Sequence, residues 1–298
     1  MITRRETFKL AAVAGLATTL PVNFARAAES PLAWTFFQAS EAGFGRTPVL
    51  LTGEKDAILI DGGFTLSDGK TVADAIKATG KRLTTIYVSC SDPDYYFGLR
   101  PIAEAFPDAK IIAKPVTVEA IKANVEAKLG VWGPQLKDNG PQTLSDVVIP
   151  AASDAASLDL EGNTIEIVEV ATMHDRRYLW VASLEAVFGG VLVSSGIHLW
   201  VADEATPEKR AAWIKALDDL IARKPKIVIP GHQIEGAPQG VDAITFTRDY
   251  LVAFDREAAS AKDSAALITA MTKLYPNLAA TSSLELGAKV AKGEMKWG

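Results

Sequence analysis

Ser89-Cys90-Ser91-Asp92-Pro93-Asp94-Tyr95-Tyr96-Phe97-Gly98 gathers a thiol, two carboxylates and phenols just after the apolar, β-branched run at 84–88. Cys90 and Asp92 are two residues apart, so an extended backbone points them to the same side, and Asp94 reaches back as the chain turns into a helix. Thiolates and carboxylates bind divalent cations, and a carboxylate also takes up or returns a proton. Asp and Pro are equally suited to a turn that caps a helix, so the segment alone leaves both readings open. The three histidines of the chain lie elsewhere: His174 after the run at 164–170, His198 in Gly196-Ile197-His198-Leu199-Trp200, and His232 in Pro230-Gly231-His232. Arg176-Arg177, beside His174, is either a clamp for a substrate carboxylate or a pair of exposed turn arginines. Tyr95, Tyr96, Phe97, Trp132, Trp180 and Trp200 supply either the wall of a pocket or core packing.

These residues need elements to hold them. Strands are expected at 33–38, 48–52 and 57–60, with Gly53-Glu54-Lys55-Asp56 as a hairpin turn between the last two. A helix at 71–78 closes at Gly80 and is followed by the buried strand 84–88. A helix near 97–106, a strand at 110–113 and a longer helix come next, the last marked by Val118, Ile121, Val125, Leu129 and Trp132 at spacings of three and four. Strands at 157–160, 164–170, 178–182 and 186–188 begin a second half. Thr206-Pro207-Glu208 is a helix start, with Thr as N-cap, Pro in the first helical position and an acid in the first turn. Strand 227–229 ends at Pro230-Gly231-His232, and helical patterns continue through 241–254, 264–274 and 283–290. The order is that of two similar halves packed sheet against sheet with helices outside.

Spread along that frame, five segments resemble the signature of the metallo-β-lactamase superfamily. Asp61, at the end of Ala57-Ile58-Leu59-Ile60-Asp61-Gly62-Gly63, corresponds to its first motif, an Asp closing an apolar strand. Cys90, Asp92, Asp94 and Tyr95 fall on its His-x-His-x-Asp-His motif, with Gly98 on the glycine that follows. His174 corresponds to the His of the third motif, Val191 to the Asp of the fourth, and His232 to the His of the fifth. The resemblance implies a mixed α/β fold, the four-layer αβ/βα sandwich, as a single domain over 28–298.

It also implies two metal sets. The first becomes Cys90, Asp92 and His174, all able to ligate; the second becomes Asp94, Tyr95, Val191 and His232, where valine cannot ligate and tyrosine is a poor substitute. The expected cofactor is therefore one zinc ion, with an open position for water. Iron held by His174, His232 and Asp92 or Asp94 is an alternative, as is no metal at all. The implied activity is hydrolysis of a small ester, lactone, amide or β-lactam by metal-activated water, with Asp94 moving the proton and His232 assisting the leaving group. His198, Tyr95 and Arg176 are the expected pocket residues. A metal-free ligand-binding relative and an iron-dependent oxidoreductase are the competing expectations.

Composition narrows the partners. With 48% hydrophobic and 22% charged residues the chain has the makings of a large core, so disorder is not expected. Residues 1–27 combine a basic start containing Arg4-Arg5, an apolar stretch at 10–22 and Ala25-Arg26-Ala27, and are expected to be a twin-arginine-type export signal, although Thr7 sits where that pattern usually has Phe. The segment carries a net +3, so its removal takes the chain from −5 to about −8, the wrong sign for nucleic acid. A periplasmic protein with a small-molecule substrate, no nucleic-acid partner and no membrane span after signal removal is expected. Cys90 is the only cysteine, so no internal disulfide can form and the core must supply the stability.

Overall fold

In β2 (Val49–Thr52) and β3 (Asp56–Ile60) almost every residue is apolar, and alternation sends them to two different places. Leu50, Ala57 and Leu59 face one core, while Val49, Leu51, Ile58 and Ile60 face another. A strand buried on both faces needs a layer on each side, and that is what the computed structural model contains. It describes residues 31–173 and 175–297; the expected export segment and His174 lie outside them.

The first half runs β1 (Ala33–Phe36), β2, β3, α1 (Leu66–Thr79), β4 (Arg82–Tyr87), α2 (Leu99–Ala105), β5 (Lys110–Ala113), α3 (Pro115–Leu136) and β6 (Ala151–Ala152). Its strands form one sheet in sequence order, antiparallel from β1 to β3 and parallel from β3 to β6. The second half runs β7 (Ser157–Leu160), β8 (Asn163–Glu169), β9 (Arg177–Val181), β10 (Ala186–Phe188), β11 (Ser194–Ser195), α4 (Pro207–Ala222), β12 (Ile227–Val228), β13 (His232–Gln233), α5 (Val241–Ser260), α6 (Ser264–Leu274) and α7 (Thr281–Ala291). Its main sheet has the order β12-β10-β9-β8-β7, and β11 pairs with β13 in a short parallel ribbon.

Three cores define four layers. Helices α1 to α3 pack on the outer face of the first sheet around Leu59, Ile76, Ile86, Ile102 and Ile121. The two sheets meet through Ile58, Ile60 and Tyr87 on one side and Ile165, Leu179 and Phe188 on the other. Trp213, Leu217, Tyr250, Phe254 and Leu267 carry α4 to α6 on the outer face of the second sheet. Glu161, in the β7–β8 turn, ties the sheets at one edge: its carboxylate accepts the backbone N–H groups of Glu54, Lys55 and Asp56 at 2.6 to 2.7 Å.

Local chemistry sets the helix ends. Thr65 caps α1 by accepting the Asp68 N–H, and Gly80 closes it in the left-handed region, as expected. The helix starts at Leu66 and not near 71, because Gly69, which looks like a turn residue, lies inside it where α1 crosses the start of α2: a Cβ there would sit 2.0 Å from the Gly98 carbonyl oxygen. Thr206 caps α4 with Pro207 following, also as expected. Phe188 is fully enclosed between the sheets. Phe188→Ala should therefore lower unfolding stability by about 3–5 kcal/mol, read as a reduced urea midpoint at unchanged slope; a loss below about 1 kcal/mol would contradict the sheet-on-sheet core.

Candidate functional site

Asp61 follows β3, Ser89 to Asp94 follow β4, Gly189-Gly190 follow β10, and His232 opens β13 three residues after Ile229, which follows β12. All therefore collect at one end of the two sheets, the carboxyl ends of their parallel strands, where α/β folds commonly build sites.

Arg46 is at the bottom of this cluster with no exposed surface. Its Nη2 donates to Asp61 Oδ2 at 3.0 Å, its Nη1 donates to the Gly231 carbonyl, and its Nε lies 3.6 Å from Asp94 Oδ2. The guanidinium carbon lies 3.5 Å from the centre of the Tyr95 ring, so the cation rests on the π face. Tyr95 donates its hydroxyl to the Gly190 carbonyl at 3.1 Å. The Asp61 carboxylate also accepts the Ser89 N–H at 2.7 Å and the Ser89 hydroxyl, whose oxygen in turn accepts the Gly190 N–H at 2.8 Å. Burial pushes the Asp61 carboxyl up, opposed by Arg46 and Ser89. Two glycines make room: a Cβ on Gly231 would lie 2.2 Å from the Gly190 oxygen and 3.0 Å from Arg46 Nη1, and Gly190 has φ +73°.

Nearer the surface, His232 Nε2 and Asp94 Oδ2 are 2.8 Å apart, and both side chains remain partly exposed, at 16% and 14%. Burial works to raise the Asp94 carboxyl, but the His232 hydrogen bond and the charges of His232 and Arg46 outweigh it and hold the group below its ordinary range. Asp94 is thus a carboxylate and can only accept, so in their 2.8 Å contact the proton lies on His232 Nε2.

A second guanidinium sits beside Cys90 and Asp92. Arg176 Nη1 donates to Cys90 Sγ at 3.3 Å and lies 3.5 Å from Asp92 Oδ2, and the Cys90 thiol donates to the same carboxylate oxygen at 3.2 Å. Its Nη2 faces Asp203 at 3.4 Å and Glu204 at 3.6 Å, and its Nε faces Asp175 at 3.7 Å. Burial, reinforced by the Asp92 charge, pushes the Cys90 thiol well up and keeps it protonated. Burial likewise raises Asp92, against the pull of Arg176. Trp297 donates its indole N–H to Asp203 at 2.8 Å and packs edge-on against Trp200.

The residues singled out in the sequence thus divide into two clusters. Asp94, Tyr95 and His232 gather around Arg46; Cys90 and Asp92 gather around Arg176. His174 is outside the described residues. His198 is fully buried with Nδ1 2.9 Å from the Tyr250 hydroxyl, and burial lowers its pKa, so it is a neutral histidine of the helix-side core. Val191 packs against the core beneath α1 to α3. The exposed-turn alternative for Arg176 and Arg177 is corrected: both are buried, the second bonded to Thr117, because each finds a polar partner within the fold. Tyr95, Tyr96 and Phe97 are core residues, while Trp180 carries Arg223 on its face. Arg46, Ser89, Asp203 and Glu204 were not expected. The only signal for Arg46 was a lone charge immediately before the apolar run Thr47-Pro48-Val49-Leu50-Leu51.

Comparison with known proteins matches this arrangement to one family. The sequence profile described as the metallo-beta-lactamase superfamily matches residues 43–232, and the chain belongs to that superfamily. Among solved structures, the DIM-1 metallo-beta-lactamase, studied after exposure to ceftazidime, is similar at 16% identity with a TM-score of 0.51, over 74% of this chain and 91% of that one. A metallo-beta-lactamase from Hirschia baltica is similar at 15% identity and the same TM-score, over 74% of this chain and 92% of that one. These likenesses are of fold. No curated protein matches the chain.

The superfamily usually binds metal, often zinc. Among the described residues no group of three or more His, Cys, Asp or Glu side chains converges as metal ligands would. A guanidinium lies against Cys90 and against Asp92, on the side from which they would ligate together. Asp94 is engaged by His232 and Arg46, and Tyr95 offers its ring and not its oxygen. These residues do not fit the paired-metal centre.

Asp94→Asn removes a charge-assisted hydrogen bond and should cost about 1.5–3 kcal/mol at neutral pH. Because the folded pKa of Asp94 is depressed, its contribution is complete above the ordinary carboxyl pKa and fades as pH falls through the folded value. Denaturant titrations of both proteins should show the stability gap closing below about pH 4; a gap unchanged down to pH 2 would count against the carboxylate assignment.

Proposed function

We propose that this chain is an exported small-molecule hydrolase acting on esters or lactones, in which the His232–Asp94 pair activates water. The observation that carries the reading is the 2.8 Å contact between His232 Nε2 and Asp94 Oδ2 at the partly exposed end of the cluster. With Nε2–H held by Asp94, Nδ1 takes a proton from water as the water oxygen bonds to the acyl carbon. Asp94 offsets the imidazolium charge, and the ring returns the proton to the departing alkoxide as the acyl C–O bond breaks, leaving acid and alcohol. General-base assistance of this kind is worth roughly 10²–10⁴-fold. That favours esters and strained lactones, whose leaving group is an alkoxide, over unactivated amides.

Water bound to zinc or iron is not invoked, since Arg176 lies against Cys90 and Asp92, and Arg46 together with His232 engages Asp94. The negative charge of the mature chain supports a small molecule and not nucleic acid as partner, and the twin-arginine-like start supports a periplasmic site of action. Among the described residues no helix is long and apolar enough to cross a membrane.

A second reading, a ligand-binding relative without turnover, is favoured by the replacement of two family ligands with Tyr95 and Val191, both engaged in packing. Chelator-treated mature protein assayed against a series of aryl esters and lactones separates the two. Retained turnover, reduced about 10²–10⁴-fold in kcat/KM by His232→Ala with binding little changed, is expected. Saturable binding of the same compounds without release of product would replace the first reading with the second.

A further inference from the structure

We infer that Arg46 and Arg176 take the two cation positions of this fold, so that side-chain guanidinium groups stand where relatives of the superfamily place metal ions. The inference goes beyond the hydrolase reading and does not depend on it.

Each guanidinium contacts the side chains of one metal set. Arg46 touches Asp94 and Tyr95, which fall on the second set, and its backbone bridges to that of His232. Arg176 touches Cys90 and Asp92, which fall on the first. The altered ligand positions suit a planar organic cation better than a metal. Tyr95 replaces an imidazole lone pair with an aromatic face, on which the guanidinium of Arg46 lies at 3.5 Å. Cys90 Sγ accepts a hydrogen bond from Arg176 Nη1 at 3.3 Å, so the sulfur faces a guanidinium. Valine at 191 removes a carboxylate that two single charges would not need.

Both cations are also fixed from outside the two sets. Asp61 and the Gly231 carbonyl hold Arg46, in a space that exists because residue 231 has no Cβ. Asp203 and Glu204 face the far side of Arg176. A dication in either set would lie within a few ångströms of an enclosed positive charge, and Coulomb repulsion at low dielectric would oppose it.

The test is metal content and its link to stability. Full mature chain is incubated with excess zinc chloride, desalted, and measured by elemental mass spectrometry beside a thermal melt with and without zinc. Far less than one equivalent retained, and a melting temperature that zinc does not raise, are expected. One or two retained equivalents whose removal lowers the melting temperature would overturn the inference. Arg176→Ala frees Cys90 and Asp92, so its melting temperature should fall by roughly 5–15 °C and recover in part with zinc. A fall that zinc leaves untouched would remove Arg176 from a cation position. If that variant does not fold, the wild-type metal measurement still decides. Turnover enters neither readout, so failure of the hydrolase reading leaves this one standing.

Discussion

The Arg46 guanidinium is closed off from water and paired at 3.0 Å with a carboxylate, Asp61, that is equally enclosed. Removing one member of such a pair typically costs about 3–5 kcal/mol, because the other charge is left in a poorly polarisable interior. Much of the site is arranged around avoiding that. Asp61 adopts φ +65°, unusual for a residue with a side chain, and so receives both the N–H and the hydroxyl of Ser89. Ser89 in turn accepts from Gly190 on the opposite sheet, and Tyr95 reaches the Gly190 carbonyl. One chain of hydrogen bonds therefore links the segments that follow β3, β4 and β10.

The layers were legible because hydrophobic period carries them. Runs such as Val49-Leu50-Leu51 and Ile58-Leu59-Ile60 have no polar face, which forces a partner on both sides. Thr206-Pro207-Glu208 and Gly80 fixed their helix ends by capping chemistry that needs no tertiary context. The short ribbon of β11 and β13 was not legible, since two-residue strands have no period to detect. The site was half legible. Cys90, Asp92, Asp94 and His232 could be picked out by type and spacing, but their partners could not. Arg46 lies far from Asp94 in sequence and next to it in space, and its place just before an apolar run does not show which carboxylates it meets. Asp203 and Glu204 sit in a loop whose sequence looks solvent-facing.

Fold and chemistry separate cleanly in this molecule. Relatives at 15–16% identity share the layered sandwich over about three quarters of the chain, so the scaffold tolerates near-complete replacement of side chains as long as alternation and strand-end geometry persist. The strand-end loops mix core residues, Tyr95 and Phe97 among them, with polar positions that differ from the family's motifs. His232 and Asp94 keep the residue types of the family's motifs at their places, while an arginine supports that carboxylate.

The enclosure of Arg46 has a consequence for how the protein reaches its working state. A charge carried on a side chain arrives with translation, at fixed stoichiometry, and cannot be diluted away, stripped by a competitor or exchanged for a wrong ion. The Arg46 cation is therefore in place as soon as the chain has folded.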